Sequence, residues 1–330
     1  MIDFARHKLP KVVLDLQGRH LLQIADFDPY QIHVVLNLAS QLKSVKPADQ
    51  LPLLRGRSIA MLFEKPSLRT RVSFEVAMTQ LGGHALYAQG GDFLVGTRES
   101  PEDAARALSR YVDGIVVRTH AHAPLERFAR AATVPVINGL TDGHHPCQAL
   151  ADLLTIRESL GGFAGKSIAF VGDANNNVAT SLAQAALAVG MSVRFGCPAE
   201  CRPRGAVVEA AARLGKANKI FVRTFASAER AVRYADVVYT DTWVSMGEEA
   251  FAERKRAALL AYRVTENLMR KAKPSAIFMH CLPAHRGDEV IAEVIDGPQT
   301  VVFDQAENRL HVQKAVLLAL LTDLRSVSTS

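Results

Sequence analysis

Short apolar, β-branched runs alternate with longer stretches of helical periodicity along most of this chain. Such alternation is typical of βαβ units with parallel strands rather than of a β-sandwich or a helix bundle. The sequence therefore predicts an α/β protein with two doubly wound parallel-sheet domains. The predicted strands are Ser58–Phe63, Ala85–Gln89, Gly114–Arg118 and Pro135–Asn138, then Ser167–Gly172, Ser192–Gly196, Ile220–Phe225, Val237–Thr240, Ala276–Cys281 and Thr300–Phe303.

A helical pattern lies between the two sets of strands. Pro146 opens it, Leu150, Leu153 and Leu154 share one side of it, and Gly161 follows its end. We expect this helix to join the two domains. The expected domains are 1–147, with a C-terminal helix at 310–330 packed back on it, and 148–309.

Composition narrows the class of protein. Of 330 residues, 48% are hydrophobic and 22% are charged, values close to the globular average that exclude wholesale disorder. The longest aliphatic run near either end, Ala315–Leu321, is far shorter than the roughly 20 residues of a membrane-spanning helix. Residues Met1–Arg6 lack the apolar core of a secretory signal, and four cysteines are too few for a disulfide framework. We therefore expect a cytoplasmic protein that has no membrane partner.

The charge balance is basic, with a formal net charge of +6 and a pI of about 9.2. The basic residues are scattered and a single Trp is available to stack on bases, so we expect no nucleic-acid partner. The same balance suits small phosphorylated or carboxylated substrates.

The segment Ser67–Arg71 follows a predicted strand and opens a predicted helix. Ser67 is a natural N-cap, and the free backbone N–H groups of a helix start attract an anion. Arg69, Thr70 and Arg71 add two guanidinium groups and a hydroxyl at the same place. An ordinary capped helix with solvated arginines is the alternative, but two arginines in a first turn oppose the helix dipole. The motif therefore favours a phosphate-like oxyanion.

Two further predicted elements carry candidate ligand-binding side chains. His145 and Gln148 lie at the start of the joining helix, where they can bond to an amide or carbonyl group. Arg118 ends a predicted strand, at the edge where open α/β sheets bind ligands. A helix cap with a surface histidine, and a buried structural ion pair for Arg118, are the ordinary alternatives.

Two glycine-containing segments do not fit nucleotide-binding motifs. Gly172–Asn177 has one of the glycines that a dinucleotide fingerprint requires, which argues against a dehydrogenase. Gly161–Ser167 is one residue short of a P-loop, and it precedes a strand instead of following one. The asparagines at 175–177 instead offer carboxamides to a polar ligand.

Acid and thiol groups follow two later strands. Asp241 can hold a cationic amine, and Ser245 can hold an α-amino or carboxylate group, although Asp241 could also cap the next helix. Cys281, beside His280, suggests a soft-metal site or a cysteine nucleophile. We expect neither, because structural zinc needs four regularly spaced ligands and a buried Cys is usually a small hydrophobe.

Five segments together give the chain a resemblance to a known family. They are Ser-Leu-Arg-Thr-Arg (67–71), His-Pro-Cys-Gln (145–148), Asp-Thr-Trp-Val-Ser-Met-Gly (241–247), His-Cys-Leu-Pro (280–283) and Glu-Asn-Arg (307–309). From Phe63 to Lys314 the chain resembles the ornithine carbamoyltransferases. The sister aspartate carbamoyltransferases share the first two segments and are not expected to carry the Ser-Met-Gly or His-Cys-Leu-Pro segment. Asp241 agrees with this, since an aspartate site needs cations.

The resemblance implies transfer of a carbamoyl group from carbamoyl phosphate to the δ-amine of ornithine, giving citrulline and phosphate, with no metal or organic cofactor. It implies a homotrimer or an assembly of trimers, in which Arg98 of a neighbouring subunit completes each site. The residues implied for carbamoyl phosphate are Ser67, Leu68, Arg69, Thr70, Arg98, Arg118, His145, Gln148, Cys281 and Arg309. Those implied for ornithine are Asn177, Asp241, Ser245, Met246 and Leu282, and those implied for catalysis are Arg118, His145, Asp241 and Cys281.

Some choices stay open from the sequence. Leu68 stands where many relatives have Thr, and Ala174 stands where Gly is frequent, so Asn177 is a choice among three asparagines. An N-acylated ornithine or putrescine acceptor would keep the same chemistry, although the segment Ser245–Met246 suits a free amino acid. A catalytically silent binding paralogue would keep the fold, because a fold alone does not fix an activity.

Overall fold

A computed structural model of the protein describes residues 16–89, 99–207, 209–210, 220–244 and 249–322. Its contacts divide the chain into two compact units. Unit 1 comprises Met1–Leu154 and Glu307–Ser330, and unit 2 comprises Thr155–Ala306. The domain ranges expected from the sequence, 1–147 with 310–330 and then 148–309, stay a prediction.

Unit 1 is built on a parallel sheet. Its strands are β1 (Ser58–Phe63), β2 (His84–Gln89), β3 (Gly114–Arg118) and β4 (Val136–Leu140). They pair in the order β2-β1-β3-β4. All of β3 and all but the first residue of β1 are buried, as expected for central parallel strands that are covered on both faces.

The helices of unit 1 begin at side chains suited to helix starts. Asp28 and Ser100 accept hydrogen bonds from the first turns of their helices, and each precedes a proline at the first helical position. The helices are α1 (Pro29–Ser44), α2 (Leu68–Gln80), α3 (Pro101–Leu108), α4 (His122–Ala131) and α5 (Pro146–Leu160), the last of which continues beyond the unit boundary.

Unit 2 contains a second parallel sheet. Its strands are β5 (Ser167–Val171), β6 (Ser192–Gly196), β7 (Val222–Phe225), β8 (Val237–Tyr239) and β9 (Ile277–Met279), in the order β7-β6-β5-β8-β9. The described helices that follow α5 include α6 (Asn177–Ala188), α7 (Ala228–Val232), α8 (Ala252–Leu259), α9 (Glu266–Met269), α10 (Ala292–Ile295) and α11 (Val302–Leu321), which runs into unit 1. The predicted fold class is confirmed.

Strand order decides where each unit can bind a ligand. In unit 1 the chain passes from β1 out to β2 and then returns to β3 on the other side of β1. In unit 2 it passes from β5 outward and returns to β8 on the other side of β5. Loops at the carboxyl ends of strands diverge at such switch points and leave a crevice. Ser67 and Arg118 lie at the first of these edges, and Asn175 and Asp241 lie at the second.

One predicted strand was wrong. Thr300–Phe303 is not a strand, and within it Thr300 makes an isolated bridge with Phe278 before α11 begins at Val302. The run has the β-branched and aromatic composition of a strand, but burial recurs at Val302 and Gln305, while Phe303 is 67% exposed. A spacing of three to four residues is that of a helix, so packing outweighed local propensity here.

The remaining described elements are short 3₁₀ turns, at Ile24–Asp26, Pro47–Asp49, Ala199–Cys201, Glu249–Phe251 and Leu260–Tyr262. Among the described helices, none combines the length and the apolarity that a membrane span requires.

Candidate active site

The predicted anion-binding loop lies at the start of α2. Ser67 is the N-cap, and its hydroxyl accepts a hydrogen bond from the backbone N–H of Thr70 over 3.4 Å. Leu68, the first helical residue, is 75% exposed, so its side chain makes little packing contact. The first N–H groups of a helix lack helical partners and carry the positive end of the dipole. This helix start is therefore suited to a phosphate.

Arg118 lies beside the beginning of that loop. It is the last residue of β3, it is buried, and it pairs with Phe63 in the ladder between β1 and β3. Its carbonyl accepts a hydrogen bond from Glu64 N–H over 2.8 Å. The adjacent strands thus bring a buried guanidinium to the same edge as the helix start.

Arg309 connects three of the predicted site residues within unit 1. Its Nη2 donates to Thr70 Oγ1 over 3.1 Å, and its Nη1 donates to Gln148 Oε1 over 2.7 Å. The same Nη1 is 3.5 Å from His145 Nε2. Thr70, Gln148 and Arg309 come from α2, α5 and α11, far apart in sequence, and His145 directly precedes α5. We call Thr70, Arg118, His145, Gln148 and Arg309 the arginine cluster.

His145 is neutral in the arginine cluster. Burial is the main cause that holds its pKa well below the usual range, and the nearby Arg309 and Arg118 guanidinium groups lower that pKa further. A neutral imidazole has one donor and one acceptor nitrogen. His145 can therefore bond to a polar ligand without adding a third positive charge.

Two pairs of side chains tie the loops of unit 1 together, and sequence reasoning missed both. The Lys65 ammonium, 5% exposed, forms an ion pair with Asp142, which lies just before α5. The Thr119 hydroxyl donates to the Glu64 carboxylate. The partners lie 77 and 55 residues apart, so no local pattern could have identified them.

A third missed contact is local. Asp152 is fully buried and accepts a hydrogen bond from Gln148 Nε2 over 2.8 Å. The spacing of four residues along one helix, and a lone acid inside the apolar run Leu150–Leu154, are signals that the sequence did contain.

In unit 2 the chemistry is acidic. Asp241 follows β8 and is buried, and it accepts hydrogen bonds from Thr242 N–H over 2.8 Å and from Asn176 Nδ2 over 3.3 Å. Cys281, which follows β9, places Sγ 3.1 Å from Asp241 Oδ1. Burial raises the pKa of Asp241, although His280 and these hydrogen bonds act against the rise. We call Asp241 and Cys281 the acid–thiol pair.

A buried histidine and glutamate fix the loop that carries Cys281. His280 Nε2 lies 3.1 Å from Glu289 Oε1, while His280 Nδ1 accepts from Leu282 N–H over 2.9 Å. Because Nδ1 is the acceptor, the proton lies on Nε2. Leu282 has φ 57°, an uncommon conformation for a bulky residue, and this hydrogen bond stabilises it. Sequence reasoning missed Glu289, since nothing in its local sequence marks it.

Two of the three asparagines at 175–177 make structural hydrogen bonds, and the role of the third stays a prediction. Asn176 is the N-cap of α6, accepting from Ala179 N–H over 2.7 Å, and it also bonds to Asp241. Asn175 Oδ1 accepts from Arg204 Nε over 3.1 Å. Asn177 is the first residue of α6, and its assignment to ornithine stays a prediction.

Three predicted site residues lie outside the described residues: Arg98, Ser245 and Met246. Of the described residues, Asp241, His280 and Cys281 have ligand atoms within 4.8 Å of one another and could hold a metal ion. Both ring nitrogens of His280 already carry hydrogen bonds, so a cation would have to displace one of these bonds.

Two family models of known proteins match this chain, and together they cover most of both units. The family model described as aspartate/ornithine carbamoyltransferase, carbamoyl-P binding domain, matches residues 19–158. The model described as aspartate/ornithine carbamoyltransferase, Asp/Orn binding domain, matches residues 164–320. These ranges contain the arginine cluster, except Arg309, and the acid–thiol pair respectively.

Similar proteins extend over nearly the whole chain. The ornithine carbamoyltransferase of Anoxybacillus flavithermus is 47% identical over 309 residues, which cover 93% of this chain and 98% of that protein. The solved ornithine carbamoyltransferase of Pyrococcus furiosus has a TM-score of 0.90 at 47% identity, covering 93% of this chain and 98% of that one. The solved anabolic ornithine carbamoyltransferase of Campylobacter jejuni has a TM-score of 0.85 at 37% identity, with 91% and 97% covered.

Proposed function

The chain belongs to the aspartate/ornithine carbamoyltransferase family, and we propose that its two units divide the reaction of the ornithine branch between them. The enzyme transfers the carbamoyl group of carbamoyl phosphate to the δ-amine of L-ornithine, giving L-citrulline and phosphate. The similar proteins support ornithine as the acceptor over N-acylated ornithine or putrescine, and they support a catalyst over a silent binding paralogue.

Unit 1 binds carbamoyl phosphate in this proposal. The backbone N–H groups at the start of α2, with Ser67, Arg69 and Thr70, hold the phosphate, and Leu68 contributes its N–H. Arg118, His145, Gln148 and Arg309 surround the carbamoyl group. Support comes from Arg309, whose bonds to Thr70 and Gln148 join the phosphate end of the site to the carbamoyl end.

The arginine cluster stabilises charge that develops during transfer. As the amine attacks, the carbamoyl carbonyl oxygen becomes an oxyanion, and Arg118 and Thr70 are the donors placed near it. A preorganised donor of this kind lowers the barrier by roughly 2.7–4 kcal/mol. The C–N bond forms, the bond between the carbamoyl carbon and the oxygen that bridges to phosphorus breaks, and the phosphate leaves into the cationic site at α2 with that electron pair and with the proton that the attacking nitrogen loses.

Unit 2 binds ornithine and receives its proton. The reacting amine must be neutral, but an alkylammonium has a pKa of about 10.4, so only about one molecule in a thousand is reactive at neutral pH. The acid–thiol pair positions this amine and helps it to lose a proton. The raised pKa of Asp241 supports this role, since a carboxylate with a higher pKa is a stronger base. Asn177, Ser245, Met246 and Leu282 complete the ornithine site.

We further propose a cytoplasmic homotrimer, or an assembly of trimers, in which Arg98 of a neighbouring subunit completes each site. The four cysteines are free, which fits a reducing compartment. We assign the reaction to arginine biosynthesis, where citrulline is the product required, and the likeness to the anabolic ornithine carbamoyltransferase of Campylobacter jejuni supports this direction. Size-exclusion chromatography with light scattering tests the trimer, and an Arg98→Ala variant tests the contribution of the neighbour.

The buried carboxylate of Asp241 beside Cys281 is the observation that supports ornithine as the acceptor. A carboxylate at this place suits an amine rather than the second carboxylate of aspartate. The test is citrulline formation by the purified protein from carbamoyl phosphate, with ornithine, N-acetylornithine, putrescine and aspartate assayed in parallel. We expect turnover of ornithine alone. Faster turnover of another acceptor would overturn the assignment of unit 2, and no turnover with any acceptor would overturn the enzyme itself.

A further inference from the structure

A buried carboxylate that the proposed mechanism does not use lies next to Gln148. Asp152 is one helical turn after Gln148 in α5, and its side chain is fully buried. Gln148 is 2% exposed, and its carboxamide has a partner at each end: Nε2 donates to Asp152 Oδ1 over 2.8 Å, and Oε1 accepts from Arg309 Nη1 over 2.7 Å. The amide is therefore held between an anion and a cation.

The chemistry of these partners permits one orientation of the amide. A carboxylate only accepts hydrogen bonds, and a guanidinium only donates them. If the Gln148 amide turned by half a rotation, Nε2 would face the Arg309 guanidinium and Oε1 would face the Asp152 carboxylate. Two charge-assisted hydrogen bonds would then become two repulsive contacts in a buried site. Asp152 and Arg309 consequently act together to keep Oε1, rather than Nε2, facing the arginine cluster.

We propose that Asp152 is a positioning residue that makes the site selective for a carbamoyl group, because it keeps the acceptor oxygen of Gln148 turned toward the substrate. This inference rests on the proposed function. A carbonyl oxygen has two lone pairs, of which Arg309 Nη1 takes one, and the second is suited to an N–H of the carbamoyl NH₂ group. Arg118 and Arg309 only donate, so they can recognise the carbonyl and phosphate oxygens but not an NH₂ group.

Acetyl phosphate is the probe that isolates this contact. It carries the same phosphate and carbonyl as carbamoyl phosphate but has a methyl group in place of NH₂. The measured quantity is the selectivity ratio, defined as the inhibition constant of acetyl phosphate divided by the KM of carbamoyl phosphate, with ornithine saturating. A loss that is merely structural lowers the amount of active enzyme and weakens both ligands, but it leaves this ratio unchanged.

The decisive variant is Asp152→Asn, which keeps the shape of the side chain. An Asn can donate to Gln148 Oε1 as well as accept from Nε2, so one of the two repulsive contacts of the turned amide is removed and Arg309 alone opposes it. We expect the selectivity ratio to fall by about tenfold, as for a site that loses a hydrogen bond to one of two similar substrates. Glu158→Gln, the same exchange at an exposed position of the same helix, is the matched control and should keep the wild-type ratio.

A second variant keeps the inference testable if Asp152→Asn alone folds poorly. In Gln148→Glu/Asp152→Asn the acid and the amide exchange places, so residue 148 accepts at both ends and residue 152 donates to it. We expect this double variant to return the ratio to within about threefold of wild type, since the acceptor pattern is restored.

The outcomes separate this inference from the proposed function. An unchanged ratio in Asp152→Asn, or a double variant that is as unselective as Asp152→Asn, would overturn the positioning role while wild-type citrulline formation stands. Absence of citrulline formation by the wild-type protein would overturn the proposed function first.

Discussion

The arginine cluster of unit 1 and the acid–thiol pair of unit 2 lie at equivalent places in two similar parallel sheets, yet they are opposite in charge. Arg118 ends β3 at one switch point, and Asp241 follows β8 at the other. In the first unit burial lowers the pKa of His145, so the imidazole stays neutral beside cations, and in the second burial raises the pKa of Asp241. In the proposed function the same architecture thus presents donors to an anion in one unit and a base to a cation in the other, so the ligand would follow from the side chains rather than the fold.

The units also differ in how their side chains are held. Arg309 of α11 bonds to Thr70 of α2 and to Gln148 of α5, and each bond joins distant parts of unit 1. Asp241 and Cys281 instead follow neighbouring strands, and a single contact connects them. We therefore expect the larger functional losses from substitutions in the arginine cluster.

The largest expected effect is that of Arg309→Gln. This change removes the donors to Thr70 and Gln148 and leaves a buried site without one of its charges. We expect kcat/KM for carbamoyl phosphate to fall by about 10³-fold, comparable to the loss of an oxyanion-hole donor. Arg106→Gln, at an arginine whose side chain is 65% exposed, is the control and should leave steady-state kinetics unchanged. A small loss of kcat/KM in Arg309→Gln would contradict the expectation that substitutions in the arginine cluster cost more activity than those in the acid–thiol pair.

The next effect is that of Asp241→Asn on catalysis. An amide of the same shape cannot receive the proton of the amine, so kcat/KM for ornithine should fall by about 10²-fold or more. Asp236→Asn is a matched control, since Asp236 is equally buried in unit 2 but is paired with Lys273. Equal losses in the two variants would mean that burial of an acid, rather than its position beside Cys281, causes the effect.

A third prediction concerns pH. Because only the neutral amine reacts, and Asp241 in this mechanism passes the ammonium proton on to solvent before the amine attacks, kcat/KM for ornithine should rise about tenfold for each pH unit between about 6.5 and 9, below the amine pKa of about 10.4. A pH series at saturating carbamoyl phosphate measures this slope. A flat profile would contradict release of this proton to solvent, since a proton kept on Asp241 leaves the number of bound protons unchanged.

The smallest expected effect is on stability. The pKa of Asp241 is raised in the folded state, so its carboxylate is disfavoured there once the pH exceeds the ordinary value of 3.8. Folding stability is then lost as the pH rises toward the folded pKa, at about 1.4 kcal/mol for each pH unit between the unfolded and folded values. Asp241→Asn should therefore raise the free energy of unfolding at pH 7, with the gain vanishing near pH 4. A lower denaturation midpoint for this variant at pH 7 would contradict a dominant effect of burial.

The sequence predicted the elements that local patterns define. Strands β1, β3 and β6 begin and end at the predicted residues, α5 runs from Pro146 to Leu160 as its flanking signals indicated, and Ser67 is the N-cap expected for α2. Alternating apolar runs, helix N-caps and the glycines that follow helices depend on neighbouring residues, which explains why these predictions agree with the structure. Thr300–Phe303 failed because its local β-propensity conflicts with its burial in α11.

The sequence predicted candidate site residues, whose roles stay predictions, but not the contacts that hold them. Motifs pointed to Gln148, Asp241 and Arg309, and a strand end pointed to Arg118, whereas the contacts between these side chains depend on pairing between distant segments. Asn176 illustrates the limit, because three consecutive asparagines gave no reason to prefer the one that caps α6 and bonds to Asp241. Identities of ligand-binding residues are thus local information, but their orientation is a property of the fold.

The proposal that unit 1 binds carbamoyl phosphate while unit 2 supplies the base is tested most directly by calorimetry. Carbamoyl phosphate is titrated into Asp241→Asn and into Arg309→Gln, and the dissociation constants are measured. We expect that Asp241→Asn binds carbamoyl phosphate like the wild type, although it no longer forms citrulline at an appreciable rate, and that Arg309→Gln loses binding. Equal weakening of carbamoyl phosphate binding in both variants would contradict a separate anion site in unit 1 and a separate base in unit 2.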